Sequence, residues 1–331
     1  MLHPSLDFLS EEQETLQARQ KAPLSKREWL AIAIAISAIL GMGLQHKYNV
    51  YPFQYDLGNY LRGAQGDFTH YYYAYWLLPL FQVLALLPFW VAFILWNLLN
   101  GIGIWIAGRT FNRDVFWLLI GYQALYTFFQ GNITGITAGS LSLFWIFLRQ
   151  RRWFLAGIFL TLAMTKFQTG LPLGLLLWWI APHPWKEKLR AFIPLLLIVI
   201  VSLAIYGFWP LQILQSVRNA PPDAQGNITL WQWLGPWALL LPLAAWFVFR
   251  KAPSYLFAAW IPCIFLAQPY LQQNDLLLLF LFTPSVFPIL GNVGYLLALF
   301  DFSYLRFLAF LPLLRYFSLL YAGHWAIQRK A

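Results

Sequence analysis

The run YYYAYWLLPLFQVLALLPFWVAFILWNLLNGIGIWIAG, residues 71–108, decides how this chain folds. It is too long for one membrane helix, which needs about 20 residues, and too short for three. Pro79 and Pro88 interrupt it, and it stops at Arg109 and Arg113. The next apolar runs, 115–129 and 133–148, are separated by the polar bend Gln130-Gly131-Asn132 and end at Arg149, Arg151 and Arg152. Basic clusters between apolar runs mark the cytoplasmic side. If both clusters lie there, the bend is external and 71–108 crosses the membrane an odd number of times. The expectation is that 71–87 forms a kinked helix, membrane-embedded or interfacial on the outer side, and that 89–108 is the second true span.

Composition supports a membrane setting for the whole chain. Hydrophobic residues make up 60% and charged residues only 10%, whereas a soluble domain is about a quarter charged. No soluble catalytic domain is left over, so any chemistry must be built from loops and helix ends. The net charge of +10 falls in small clusters rather than along one stripe, which reads as topology and not as a nucleic-acid surface. A single cysteine, Cys263, excludes an intramolecular disulfide. There is no Cys/His cluster, no Walker lysine loop and no dinucleotide fingerprint, so neither a metal nor a cofactor is expected. Residues 1–28 read as a polar cytoplasmic tail, lacking the apolar core and cleavage site of a signal peptide. Residues 29–331 read as one transmembrane domain.

Before the deciding run lie a first apolar helix at 29–44, flanked by Lys26 and Arg27, and the loop HKYNVYPFQYDLGNYLRGAQGDFTH at 46–70. This first external loop holds Asp56 and Asp67, two of only twelve acidic residues. After the deciding run, apolar segments rise and fall between short turns. Lys166 to Gly170 turns outside, Lys186 to Arg190 inside, and a second external loop occupies 210–235. The segment 268–275 bends outside again, and Arg329-Lys330 closes the chain inside. The expected fold is an all-α polytopic bundle of about twelve transmembrane helices, range 10–13, with both termini cytoplasmic. The inner turns are basic and plain. The outer turns hold most of the Asp, Asn, Gln and Lys residues adjoining spans, and together suggest one composite outer-face site.

Asp56, with Asn59, Tyr60 and Arg62 nearby, is either a solvated loop acid or a partly desolvated carboxylate with the proton affinity of a general base for a sugar hydroxyl. Lys166, between two apolar half-length helices, either snorkels to the surface or pairs with an anion such as a lipid phosphate. Gln130, Asn132 and Gln168 are helix-turn caps or hydrogen-bonding partners of a sugar or phosphate. Asp275, beside Tyr270, is a helix cap or a second site acid. Arg218, Asn227 and Trp231 lie in the second loop, and most of the aromatic residues read as membrane belt and packing.

The order of these features resembles the GT-C class of integral-membrane glycosyltransferases, and most closely glycosyltransferase family 87, of the polyprenol-phosphate-mannose-dependent mannosyltransferase type. The pieces that carry the resemblance are YDLGNYLRGA in the first loop, Tyr73 with Pro79-Leu80-Phe81, the Gln130-Gly131-Asn132 turn and AGIFLTLAMTKFQTGLPL at 156–173. GNITLWQWLG at 226–235 and PYLQQNDLLLL at 269–279 complete the set. The family's turn usually reads Gly-Gln, and Pro is common where Phe167 follows the lysine here.

The resemblance implies that Asp56 is the catalytic base on the acceptor hydroxyl and that Lys166, with Arg62 or Arg218, neutralises the phosphate of a polyprenyl-phosphate sugar donor. Substrate contacts are then expected from Asn59, Tyr60, Gln130, Asn132, Gln168, Asn227, Trp231, Tyr270 and Asp275. The reaction would be an inverting transfer to a lipid or glycan acceptor on the outer face of a bacterial inner membrane. A single base without a second nearby carboxylate suits inversion. The alternatives are a transporter or lipid flippase, which expects an internal repeat that this chain lacks, and a silent scaffold, which expects Asp56 and Lys166 to lie far apart.

Overall fold

The structure, a computed structural model, describes residues 13–48, 56–219 and 227–328. Among the described residues it is all helix, with one isolated bridge between Asn227 and Gln272 and no strand. Five helices are long and apolar enough to cross a membrane: Lys26–Lys47, Phe89–Thr110, Trp185–Tyr206, Trp231–Phe249 and Ser303–Ala322. A sixth candidate is the pair Tyr122–Gln130 and Thr134–Arg149, bent by 113° at its break. Tyr75–Leu84, Trp153–Ala163, Gly170–Ile180, Pro253–Leu266 and Val286–Phe300 are apolar but short. The full-length helices therefore number five or six, where the sequence suggested about twelve spans. The difference lies in these short helices, which fall below the length that a slab roughly 30 Å thick asks of one straight helix. Large apolar side chains face outward along the long helices, as on Leu196, Ile205 and Trp237, which suits contact with lipid.

The deciding run breaks where the sequence indicated. A short turn, Tyr75–Leu77, leads into the helix Leu78–Leu84, and Pro88 then caps the 22-residue helix Phe89–Thr110. Proline has no N–H to leave unpaired at a helix start, so the break costs the backbone little.

The basic turns gather at one end of the bundle. Ser25 and Glu28 form a reciprocal capping box that starts the Lys26–Lys47 helix. Glu28 then pairs at 3.2 Å with Arg109, from the end of Phe89–Thr110. Arg109 also donates to the carbonyls of Arg19 and Ala22, and Arg27 pairs with Asp114 at 3.1 Å. Residues Gln17, Gln20 and Lys21 share a cleft with Phe147, Gln150 and Arg152. Arg151 faces Glu187 across 3.9 Å, and His183 meets the Arg149 carbonyl. The clusters 19–28, 109–114, 149–152 and 183–188 thus share one end, which for 109–114 and 149–152 is the premise of the parity argument.

The central helix pair is held by small residues. A Cβ added to Gly103 would lie 2.2 Å from the Gly135 carbonyl oxygen, and one on Gly139 would lie 2.6 Å from the Gly103 Cα. Only glycine lets Phe89–Thr110 and Thr134–Arg149 come this close, and such close backbone contact is what drives helix association in lipid, where burying apolar area gains little.

Candidate active site

The bend at 130–132 is built by the helix beside it. Gly131 caps Tyr122–Gln130 in the left-handed conformation, φ 62°, and a Cβ there would meet Leu57 at 2.8 Å. The break leaves backbone carbonyls and an N–H without helical partners, and side chains on Phe89–Thr110 supply them. Trp96 donates to the Gly131 carbonyl at 2.8 Å, Asn97 to the Phe128 carbonyl at 2.9 Å, and Asn100 accepts from the Ile136 N–H at 3.1 Å. These three side chains are fully buried. None was singled out in the sequence. The available signal was two amides, Asn97 and Asn100, three residues apart in an otherwise apolar run, where a polar group needs a partner.

The rigid bend carries Asn132 to the helix Asp56–Ala64. The Asn132 carboxamide Nδ2 donates to Asp56 Oδ2 at 2.5 Å. Its Oδ1 accepts from the Thr134 N–H at 3.0 Å, the Thr134 hydroxyl at 2.7 Å and Lys166 Nζ at 3.1 Å. Lys166 Nζ further donates to Thr134 Oγ1 at 2.8 Å and pairs with Asp275 Oδ1 at 2.5 Å. Asp275 Oδ2 accepts from the Gln272 N–H at 3.1 Å. Asn132, Thr134, Lys166 and Asp275 are all buried, whereas Asp56 keeps partial exposure. Although some of Asp56 reaches solvent, burial is the largest influence on it and pushes its carboxyl above the ordinary value. The Asn132 hydrogen bond and the Lys166 charge pull it back, and Asp275 adds a smaller push upward.

Each element of this cluster is placed by a local device. Lys166 sits in the turn between Trp153–Ala163 and Gly170–Ile180, closed by the Gly170 N–H on the Lys166 carbonyl at 2.8 Å. Asp275 is fixed by a capping box with Gln272 at the start of Leu276–Phe280. The loop bearing it is pinned by Asn227, which donates to the Pro269 carbonyl and accepts from the N–H groups of Thr229 and Leu271.

The structure therefore brings together Asp56, Asn132, Lys166 and Asp275, residues far apart in sequence, at the end of the bundle opposite the basic turns. It treats the other candidates differently. Asn227 was expected to touch substrate; here its amide makes the three hydrogen bonds above, which brace the loop. The ring of Tyr60 is buried among Tyr71, Tyr73, Phe81 and Trp96, a packing position rather than an open one. Arg62 is partly exposed and donates to Asn59 one turn back on the same helix. Gln130 donates to the Tyr126 hydroxyl at 3.1 Å, and Gln168 is exposed, its carbonyl taken by Gln268. Tyr270 is exposed and accepts from Gln272, while Trp231 starts a short helix and is partly buried. The Arg218 side chain lies outside the described residues.

Lys166 differs from its expected role in one decisive respect. An ammonium has three N–H donors, and here Asn132, Thr134 and Asp275 take all three. As it stands the lysine has no donor left for a phosphate. Beside it an aromatic wall forms, with Trp209 stacked on Tyr75 at 5.5 Å and on Phe167 at 6.1 Å, and with Trp76 bonded to Thr165.

These features define an integral-membrane helical protein that gathers the carboxylate of the partly exposed Asp56 and a buried amide, ammonium and carboxylate at one end of its bundle. Residues 71–231 match the family model Glycosyltransferase family 87, which bears out the resemblance carried by the motifs and is consistent with a GT-C-like glycosyltransferase. The matched segment holds Asn132 and Lys166, while Asp56 and Asp275 lie on either side of it. Searches of curated proteins and of solved structures returned no match.

Proposed function

We propose that the protein transfers a sugar, mannose or another hexose or pentose, from a polyprenyl-phosphate donor to a lipid or glycan acceptor, with Asp56 as general base. The observation that carries this reading is the Asp56 carboxylate, on a residue that keeps partial exposure, held through Oδ2 by Asn132 and raised in proton affinity by burial. A base of this kind takes the proton of the acceptor hydroxyl as its oxygen bonds to the anomeric carbon. The bond from that carbon to the phosphate oxygen breaks, and polyprenyl phosphate leaves with the electron pair, so the configuration inverts. The developing phosphate charge calls for a fixed cation. Arg62 suits that task better than Lys166, because it is partly exposed and one hydrogen bond to Asn59 leaves most of its guanidinium donors available.

The site faces outward in a bacterial inner membrane, with the basic end and both termini in the cytoplasm. The short apolar helices complete a bundle of 10–13 passes. The competing reading of a transporter or flippase draws no support from the site, because its ionisable groups lie at helix ends and turns rather than in mid-span.

The test is transfer of radiolabelled sugar from polyprenyl-phosphate-mannose, and from other polyprenyl-phosphate sugars, to membrane lipids. Wild type should transfer and folded Asp56→Asn should not. Equal transfer by both would remove Asp56 from the mechanism.

A further inference from the structure

We infer that Lys166 and Asp275 are positioning residues, an ion pair that locks the Asn132 carboxamide with its amino group toward Asp56. This inference rests on the reading of Asp56 as the base.

A carboxamide has an accepting and a donating end, and a half-turn exchanges them. With the present orientation Oδ1 meets the Lys166 ammonium, the Thr134 N–H and the Thr134 hydroxyl, while Nδ2 meets the Asp56 carboxylate. The reverse orientation would set the amide oxygen against the Asp56 carboxylate and the amino group against a cation and an N–H. Lys166 thus adds a charged donor to the Thr134 N–H in making the donating end face the base. Asp275 has a separate task. A lone ammonium beside Asp56 would hold the carboxylate ionised and weaken it as a base. Asp275, at 2.5 Å from Nζ, cancels most of that field while leaving the hydrogen bond to Asn132 in place. The groups that face Asp56 are Lys166, Asp275, Tyr60 and Tyr73, and burial raises both phenols well above their ordinary value, so they stay neutral. Arg62 lies on the same helix as Asp56.

The arrangement predicts opposite shifts. In Asp275→Asn the unbalanced ammonium should move Asp56 ionisation to lower pH by about one to two units. In Lys166→Met the unbalanced Asp275 carboxylate and the unlocked amide should move it upward by a similar amount. The double variant removes both charges, so ionisation should fall back from the Lys166→Met position toward that of wild type, while kcat stays low because the amide is no longer locked.

Two measurements on the full-length protein in lipid nanodiscs decide the matter. Infrared difference titration, with Asp56→Asn identifying the carboxyl band, reads Asp56 directly and needs no substrate. The pH profile of kcat/KM with polyprenyl-phosphate-mannose reads its acid limb, and donor KM is followed at one pH. Opposite shifts in the single variants, recovery in the double variant and a donor KM within about twofold of wild type would establish the lock. Superimposed titrations would overturn it, and so would a donor KM that rises in Lys166→Met and stays high in the double variant, the signature of a phosphate contact. If a single variant fails to fold, the double variant still decides by kinetics: a low kcat with a donor KM within about twofold of wild type supports the lock, and a wild-type kcat or a raised donor KM overturns it. Transfer by Asp56→Asn at the wild-type rate would sink the base itself, a result distinct from unmoved titrations with an inactive Asp56→Asn.

Discussion

Asp56 and Asn132 are joined by a 2.5 Å hydrogen bond across 76 residues of chain, and the carboxamide that makes it has no freedom to turn. The bond holds one oxygen of the carboxylate and leaves the other for a substrate proton. Replacing Asn132 with leucine keeps the volume and removes the donor. Hydrogen bonds to charged groups contribute about 1.5–3 kcal/mol, so kcat/KM should fall roughly 10- to 100-fold, with the acid limb moving upward. Steady-state kinetics across pH check both.

Activity should fail on the acid side at a higher pH than an ordinary carboxylate would give, because burial raises the Asp56 carboxyl. The same shift has a consequence for stability. A group whose value is raised on folding contributes stability that is full below its unfolded value and is lost as pH rises through its folded value. Near neutral pH wild type therefore carries a strained carboxylate. Asp56→Asn should unfold at a higher temperature than wild type there, and the gap should close as pH falls. Thermal melts in detergent at several pH values would test this, and an Asp56→Asn protein less stable than wild type at neutral pH would contradict it.

The Gly103 contact predicts a packing defect rather than a chemical one. A methyl group has no space 2.2 Å from a carbonyl oxygen, so Gly103→Ala must push Phe89–Thr110 away from Thr134–Arg149. Overpacking of this kind costs about 1–3 kcal/mol. Because the bend that carries Asn132 is held by Trp96, Asn97 and Asn100 on the displaced helix, turnover should drop along with melting temperature.

At the opposite end, Glu28→Gln and Arg109→Met separate stability from chemistry. Arg109 bonds two carbonyls in addition to Glu28, so its loss should destabilise more than loss of Glu28, for which about 1–3 kcal/mol is expected. Folded Glu28→Gln should keep the wild-type kcat, since it lies at the far end from Asp56.

Sidedness is open to cysteine labelling. Cys263 is buried and leaves a low background. Gln168→Cys and Tyr270→Cys, both at exposed positions, should react from one face of sealed vesicles, and Lys186→Cys from the other. Labelling of all three from one face would undo the two-ended arrangement.

The residues of the site were legible because lipid makes polar residues conspicuous. Asp56, Asn132, Lys166 and Asp275 stand at the ends of apolar runs, where few side chains carry charge or an amide, and the Pro88 break declared itself in the same way. Their pairing was not legible. Nothing in AMTKFQTG states that the lysine would spend its three donors on Asn132, Thr134 and Asp275, because that depends on which turns meet in space. Nor does sequence separate Asn227, a brace, from Asn132, a partner of Asp56: both occur as Asn-Ile-Thr. The helix count was least legible, since a short apolar run reads alike whether it spans or only fills the bundle.

The broken helix bears on how the protein is made. A chain leaves the ribosome N-terminus first, so Phe89–Thr110 enters the membrane before the bend arrives, and Trp96, Asn97 and Asn100 are waiting for two carbonyls and an N–H that lipid would leave unsatisfied. Asp275 is the last of the four site residues to be synthesised. Until it arrives the Lys166 ammonium lacks its ion-pair partner, so the polar cluster closes late, and a ribosome paused before Asp275 would hold a bundle whose scaffold is in place and whose site is still electrically incomplete.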